Sequence, residues 1–166
     1  MILREATAAD LPLLLAFLQE QLPAWGYQRK LTAKVIGLWR SSGFRFAVVY
    51  ENDSISAALM MRHTETDKGP AVEILIWIVA FDCPRKLLAF DTLAYWGCNL
   101  MRSEGYRIVF SRRETARAQF DAAGHFGMTV VDEGYGDSPV SLLQWGDTEK
   151  VIAHILKRRP EWQISL

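Results

Sequence analysis

Residues 72–80 read VEILIWIVA, and residues 81–89, FDCPRKLLA, lead from this stretch into a long helical pattern. The first stretch is apolar on both faces except at Glu73, which is typical of a central strand covered by helices. Apolar residues then recur at helical spacing over residues 85–104, and Gly105 is placed to end that helix. The sequence therefore predicts a buried strand followed directly by a long helix, which is an α/β arrangement.

Upstream of residue 72, the pattern predicts one strand, two helices and a hairpin. A short apolar strand at residues 2–3 precedes capping residues and a helical pattern that Pro23 and Gly26 close. A second amphipathic helix is predicted over residues 31–42. Residues rich in β-branched and aromatic types then flank a turn, which predicts an antiparallel hairpin of strands at residues 44–50 and 55–63.

Downstream of residue 105, shorter elements complete the pattern. They are a strand at residues 107–110, a helix at 115–123, strands at 128–131 and 140–145, and a helix at 148–158. We therefore predict a single α/β (α+β) domain over residues 1–166, with a mixed central sheet of about seven strands and about four flanking helices. Its core spans about residues 1–145, and a C-terminal helical extension covers about 146–166.

Composition limits the classes of partner. The chain has 166 residues, and half are apolar, which is enough for one core. Nineteen basic residues balance nineteen acidic ones, so net charge does not attract nucleic acid or an anionic membrane. Cys83 and Cys98 lack the spacing of a disulfide framework or a zinc site. The cysteine pattern therefore predicts no metal site. The sequence has no signal-peptide pattern and no apolar stretch long enough to span a bilayer, so it predicts a cytoplasmic protein.

The order of these elements resembles that of the GNAT (Gcn5-related N-acetyltransferase) superfamily, and the resemblance extends to about Trp145. Its most family-like stretches are residues 2–18 and 111–131. In the second, Ala116, Phe120 and Gly124 follow the family spacing Ala-x-x-x-Tyr-x-x-x-Gly, which leads from the last core helix towards the sixth strand. The resemblance implies a GNAT fold that holds acetyl-CoA where the fourth strand splays from the fifth.

By the same resemblance, backbone groups of Trp77, Ile78 and Val79 would hold the pantetheine arm of the cofactor. The turn after this strand would then bind the pyrophosphate through its backbone amides, at a helix N-terminus. In the family that turn usually reads Gln/Arg-x-x-Gly-x-Gly/Ala, because glycine lets the backbone approach phosphate closely. Residues 81–89 contain no glycine, so the acetyl-CoA loop is degenerate.

Two further features of this turn have opposite consequences for phosphate. Pro84 lacks an N–H donor, and Asp82 adds negative charge where phosphate would lie. Arg85 and Lys86 would bind phosphates by charge and partly replace the lost amides. In the alternative interpretation, the turn only caps the following helix and both cations are solvated.

The candidate catalytic residues are Glu73, His125 and Tyr135. A base on the fourth strand, often acting through water, is common in the family, and the resemblance implies this role for Glu73. The alternative is a structural carboxylate that faces solvent or pairs with Arg62. Phe120 stands where the family's general acid is a tyrosine, and a phenyl ring cannot donate a proton, so His125 and Tyr135 are the remaining candidates.

Two functions stay open at this point. The first is an N-acyltransferase that moves an acyl group from acyl-CoA to a primary amine of a small molecule or a protein. The second is a GNAT-like protein without a cofactor that binds a protein partner or itself. Degenerate proteins of this shape occur among bacteriophage products, so this second hypothesis includes a small virion-associated protein.

Overall fold

The structure is a computed structural model that describes residues 2–26, 31–113, 122–133 and 142–165. Its elements up to the buried strand are β1 (Ile2–Glu5), a 3₁₀ turn (Ala8–Asp10), α1 (Leu11–Ala24), α2 (Ala33–Ser41), β2 (Arg45–Glu51), β3 (Ser54–Thr66) and β4 (Gly69–Val79). The remaining elements are α3 (Lys86–Ser103), β5 (Ile108–Arg113), α4 (Ala122–Phe126), β6 (Thr129–Glu133), β7 (Leu142–Asp147), α5 (Thr148–Arg158) and a final 3₁₀ segment (Pro160–Ser165).

These strands form a seven-stranded sheet in the order β1-β2-β3-β4-β5-β7-β6. Strand β2 is antiparallel to β1 and to β3, and β7 is antiparallel to β5 and to β6. A helix, α3, lies between β4 and β5 in the chain, as expected for neighbouring strands joined by a crossover. The predicted α/β fold class is confirmed.

Most element bounds agree with the sequence pattern, and the exceptions have local causes. Strand β4 begins at Gly69, three residues before the predicted start at residue 72, because it forms a tight turn with β3 in which Thr66 Oγ1 donates to the Gly69 carbonyl, 2.8 Å away. Pro23 does not close α1 but lies inside its last turn, and Gly26, with φ of 86°, follows the helix. The helix predicted at residues 115–123 falls mostly outside the described residues, and α4 occupies residues 122–126.

The chain divides into two compact units. The first comprises Met1–His63 and Ile74–Leu93, and the second comprises Thr64–Glu73 and Ala94–Leu166. The division passes through β3, β4 and α3, so each unit contains part of these three elements. That the whole chain is one domain remains a prediction.

The first unit has an apolar core between its helices and its strands. Leucines at helical spacing along α1, such as Leu14 and Leu18, are fully buried, as is Ile36 of α2. They belong to one cluster with strand residues that include Val48 and Met60. This burial explains why the residues of α1 form a helix, since their apolar side chains fall on one face.

The second unit has its own apolar core, and the C-terminal helix α5 contributes to it. Val151, Ile152 and Ile155 are buried, and Asp147 accepts hydrogen bonds from the first N–H groups of α5. Further along, the ring of Trp162 lies 5.2 Å from that of Tyr95 in α3. Of the predicted extension at residues 146–166, Val151, Ile152 and Ile155 are therefore buried, and Trp162 contacts Tyr95 of the same unit.

A buried carboxylate fixes the start of α1 to the sheet. Asp10 accepts two hydrogen bonds from the Arg4 guanidinium, at 2.5 and 2.6 Å, and one from the Tyr50 hydroxyl at 2.7 Å. It also accepts from the backbone N–H and the hydroxyl of Thr7, as in a capping box. The Arg4 contact, then that of Tyr50, holds the pKa of Asp10 well below its ordinary value.

We predict that Asp10→Asn lowers the free energy of unfolding at pH 7 by about 1–3 kcal/mol, because hydrogen bonds to a charged group are lost. Since the folded-state pKa is depressed, the contribution of Asp10 is present above its unfolded pKa of about 3.9 and declines below it. Urea denaturation should therefore show the two proteins converging below about pH 4. The control is Glu5→Gln at the exposed Glu5–Arg45 pair, which should change stability by less than about 1 kcal/mol. An equal loss at all pH values would contradict the role of the Asp10 charge.

Candidate functional site

The end of β4 is the candidate site that the sequence indicated, and its side chains face inward. Ile78 and Val79 are buried, and Trp77 is half-buried with its ring 6.0 Å from that of Phe90. A ligand beside these three residues would therefore meet their backbone rather than their side chains. Their predicted contact with a pantetheine arm remains a prediction.

The backbone at this strand end is hydrogen-bonded on both edges. On one edge, the Ala80 N–H donates to the Ser56 carbonyl of β3, 2.8 Å away. Because consecutive residues of a strand direct their polar groups to opposite edges, Val79 and Phe81 face away from β3. On that second edge, Trp25 Nε1 donates to the Val79 carbonyl at 2.7 Å, and the Phe81 N–H donates to Gln21 Oε1 at 2.7 Å. Side chains of Gln21 in α1 and of Trp25, the residue after α1, thus bind the strand edge that β3 leaves open.

The turn between β4 and α3 has few backbone donors for an anion. The Phe81 N–H is bound to Gln21, the Cys83 N–H donates to the Ala80 carbonyl at 3.0 Å, and Pro84 has no N–H. Three of the four residues from 81 to 84 therefore have no N–H group to offer a phosphate. The absence of glycine has a physical reason: the N–H groups of Phe81 and Cys83 in this turn bind other groups of the protein.

The two candidate phosphate-binding cations both have protein partners. Arg85 forms an ion pair with the Glu51 carboxylate at the end of β2. Lys86 is half-buried, and its Nζ lies 4.6 Å from the centre of the Phe81 ring and 5.6 Å from that of Trp25. Both cations thus have a specific neighbour, although the Arg85 side chain is still 52% exposed, and their role at a phosphate remains a prediction.

The surface around Lys86 combines this positive charge with apolar side chains. Phe81 is 44% exposed and Leu87 is 56% exposed, although both lie beside the start of α3. The Trp25 ring meets Phe81 edge-on at 5.6 Å and Phe90 at 6.4 Å. An aromatic cluster with a cation above it therefore occupies the region for which the family resemblance implied a phosphate-binding loop.

Glu73 lies in β4 within the second unit and is only 3% exposed. The alternative in which it faces solvent is therefore wrong. A buried carboxylate on this strand is compatible with a base that acts through water, as the family resemblance implied. Its assignment as the base remains a prediction.

The other candidate acid–base residues are less completely described. His125 lies in the last turn of α4, half-buried, and its carbonyl accepts a hydrogen bond from Arg158 of α5 at 2.7 Å. Tyr135 and Phe120 lie outside the described residues. Both cysteines of the chain are buried, and burial raises the pKa of the Cys98 thiol to about 12, so Cys98 is not an activated nucleophile.

Sequence reasoning assigned no polar role to Gln21 and Trp25. A signal for Gln21 was present, because it lies three residues after Leu18 on the apolar face of α1, where a buried polar side chain requires a partner. Trp25 lies four residues further on, so the two side chains project from the same face. The identity of their partners could not be read from the sequence, since Val79 and Phe81 lie more than fifty positions away.

Two other kinds of site are absent from the described residues. No helix in residues 2–26, 31–113, 122–133 and 142–165 is long and apolar enough to cross a membrane. The same part of the chain contains no group of three or more histidine, cysteine, aspartate or glutamate residues that could hold a metal ion.

Comparison with known proteins gives matches at the level of structure. No protein-family model and no curated protein sequence matches the chain. Among solved structures, aminoglycoside 6'-acetyltransferase type Ii superimposes with a TM-score of 0.72 at 12% identity, over 89% of this chain and 97% of that one. The GNAT family N-acetyltransferase YhbS from Escherichia coli, in complex with CoA, gives 0.63 at 17% identity, over 91% and 83%. Arabidopsis thaliana Naa50, with the bisubstrate analogue CoA-Ac-MVNAL, gives 0.65 at 15% identity, over 87% and 97%.

Proposed function

Because the chain has the GNAT fold, we propose that it is an N-acyltransferase, which moves an acyl group from acyl-CoA to a primary amine of a small molecule or a protein. Structures that share the fold at TM-scores of 0.63 to 0.72 include an aminoglycoside acetyltransferase and an enzyme in complex with CoA. The observation that carries the proposal in this chain is the pair of cations, Arg85 and Lys86, at the start of α3, where the turn that follows β4 ends.

The pyrophosphate fits the first turn of α3 better than the turn that precedes it. Most N–H groups of the preceding turn are engaged or absent, whereas the first N–H groups of any helix have no partner within that helix. The helix dipole also favours an anion at this end. Arg85 and Lys86 add two positive charges at the same point, and the phosphates would compete with Glu51 for Arg85.

The proposed reaction needs two proton transfers, one from the amine and one to the sulfur. Acyl-CoA supplies the activated acyl group as a thioester. The Glu73 carboxylate, through a water molecule, takes a proton from the amine as its nitrogen bonds to the acyl carbon. His125 or Tyr135 gives a proton to the sulfur as the carbon–sulfur bond breaks. The products are an amide and a free thiol.

A specific observation favours the second candidate, a GNAT-like binding or assembly protein without a cofactor. Gln21 and Trp25 already bind the strand edge at Val79 and Phe81, and the aromatic cluster carries exposed apolar surface beside it. Such a surface suits a protein partner or self-association. The first candidate would be a cytoplasmic enzyme. The second candidate includes a virion-associated bacteriophage protein.

Calorimetric titration with acetyl-CoA separates the two candidates. The N-acyltransferase proposal predicts a dissociation constant of roughly 100 μM or tighter, which corresponds to about −5.5 kcal/mol. If millimolar acetyl-CoA produces no heat and no shift of the melting temperature, the enzyme proposal is wrong and the binding-protein candidate is favoured.

Replacement of the proposed base tests the chemistry. We predict that Glu73→Gln lowers kcat by roughly two to four orders of magnitude, because the proton acceptor is lost. Circular dichroism should show an intact fold. The control is Glu65→Gln, at an exposed carboxylate on β3, which should leave kcat unchanged. An unchanged rate for Glu73→Gln would remove this residue from the mechanism.

Replacement of both cations tests the phosphate site. We predict that Arg85→Ala with Lys86→Ala weakens CoA binding but leaves binding of phosphate-free pantetheine unchanged, because only the charge contacts are lost. The charge-matched control is Arg102→Ala with Lys157→Ala, which removes two exposed cations elsewhere. Calorimetry with both ligands measures the difference. Equal weakening of CoA and pantetheine would count against a phosphate role.

A further inference from the structure

The contacts at the end of β4 have the pattern of a strand pairing, although no strand supplies them. A residue that pairs in parallel beside Ala80 would donate its N–H to the Val79 carbonyl and accept from the Phe81 N–H. Trp25 supplies that donor and Gln21 supplies that acceptor, each at 2.7 Å. The side chains of Gln21 and Trp25 thus reproduce the two hydrogen bonds of one residue in a neighbouring strand.

We propose that Gln21 and Trp25 close an amide-binding position beside Ala80, and that the pantetheine arm of acyl-CoA takes this position when the pair opens. The inference rests on the proposed function. Pantetheine carries two amides, and each has a carbonyl and an N–H that suit a strand edge. Gln21 and Trp25 are positioning residues in this account, because they act through the backbone of Val79 and Phe81.

The surroundings explain why the closed state is the stable one in the free protein. Gln21 is 8% exposed, so its carboxamide must find a polar partner inside the protein. Trp25 is held by edge contacts with Phe81 and Phe90 and by the cation of Lys86. The arm therefore has to displace two satisfied hydrogen bonds, which weakens its binding to the wild-type protein.

A single substitution can free either the Phe81 N–H or the Val79 carbonyl while it keeps most of the surrounding packing. Gln21→Leu keeps most of the side-chain volume but frees the Phe81 N–H, and Trp25→Phe keeps an aromatic ring but frees the Val79 carbonyl. Gln19→Leu is the matched control for the first, since Gln19 on the same helix donates to the Leu31 carbonyl at 2.7 Å. Trp39→Phe on α2 is the control for the second.

The experiment is calorimetric titration of all five proteins with S-acetylpantetheine and with acetyl-CoA, alongside hydrogen exchange of the Phe81 amide. We expect Gln21→Leu and Trp25→Phe to bind S-acetylpantetheine roughly 3- to 10-fold more tightly than wild type, as one competing hydrogen bond is removed. The controls should bind like wild type. Faster exchange of the Phe81 amide in Gln21→Leu alone would show that the bond to Gln21 exists in solution.

The outcomes separate this inference from the proposed function. If wild type binds acetyl-CoA and neither variant binds S-acetylpantetheine more tightly, the inference is overturned and the enzyme proposal stands. If no protein binds either ligand, both are overturned. A further titration with acetyl-trialanine amide tests a peptide strand as the occupant. Tighter binding of this peptide by the variants, without tighter binding of S-acetylpantetheine, would also overturn the assignment.

Discussion

The backbone at the end of β4 is hydrogen-bonded on both edges by groups of the protein itself. A strand that ends inside a protein must place each N–H and C=O group on a partner, because an unsatisfied buried polar group is costly. Here Ser56 of β3 satisfies one edge, and the side chains of Gln21 and Trp25 satisfy the other. This need to satisfy backbone groups is consistent with three features: the position of α1, the turn after β4 and the aromatic cluster beneath Lys86.

The same constraint reconciles an acetyltransferase fold with a loop that lacks glycine. Glycine is needed where a backbone approaches phosphate, and a turn whose amides bind its own protein has no such need. In the proposed function, the binding energy for an anion would come from the helix that follows and from Arg85 and Lys86. Fold alone does not establish catalysis, because activity depends on the groups in the site.

Much of the fold could be predicted from the sequence, whereas the site could be predicted only in part. Local patterns place α5 at residues 148–158 and α3 within one residue at each end, because apolar spacing and end signals are local properties. The roles of Gln21 and Trp25 depend on contacts with residues more than fifty positions away, which no local pattern encodes. The contacts of Arg85 with Glu51 and of Lys86 with Trp25 likewise join residues that are far apart in the sequence.

We propose that an anion binds at the first turn of α3 and not at the turn before it. Titration of ¹⁵N-labelled protein with acetyl-CoA, followed by amide chemical shifts, distinguishes these two positions. We expect the largest shifts at the amides of Lys86, Leu87 and Leu88, together with a shift of the Trp25 indole N–H. Large shifts confined to Asp82 and Cys83, or no shifts at saturating ligand, would contradict it.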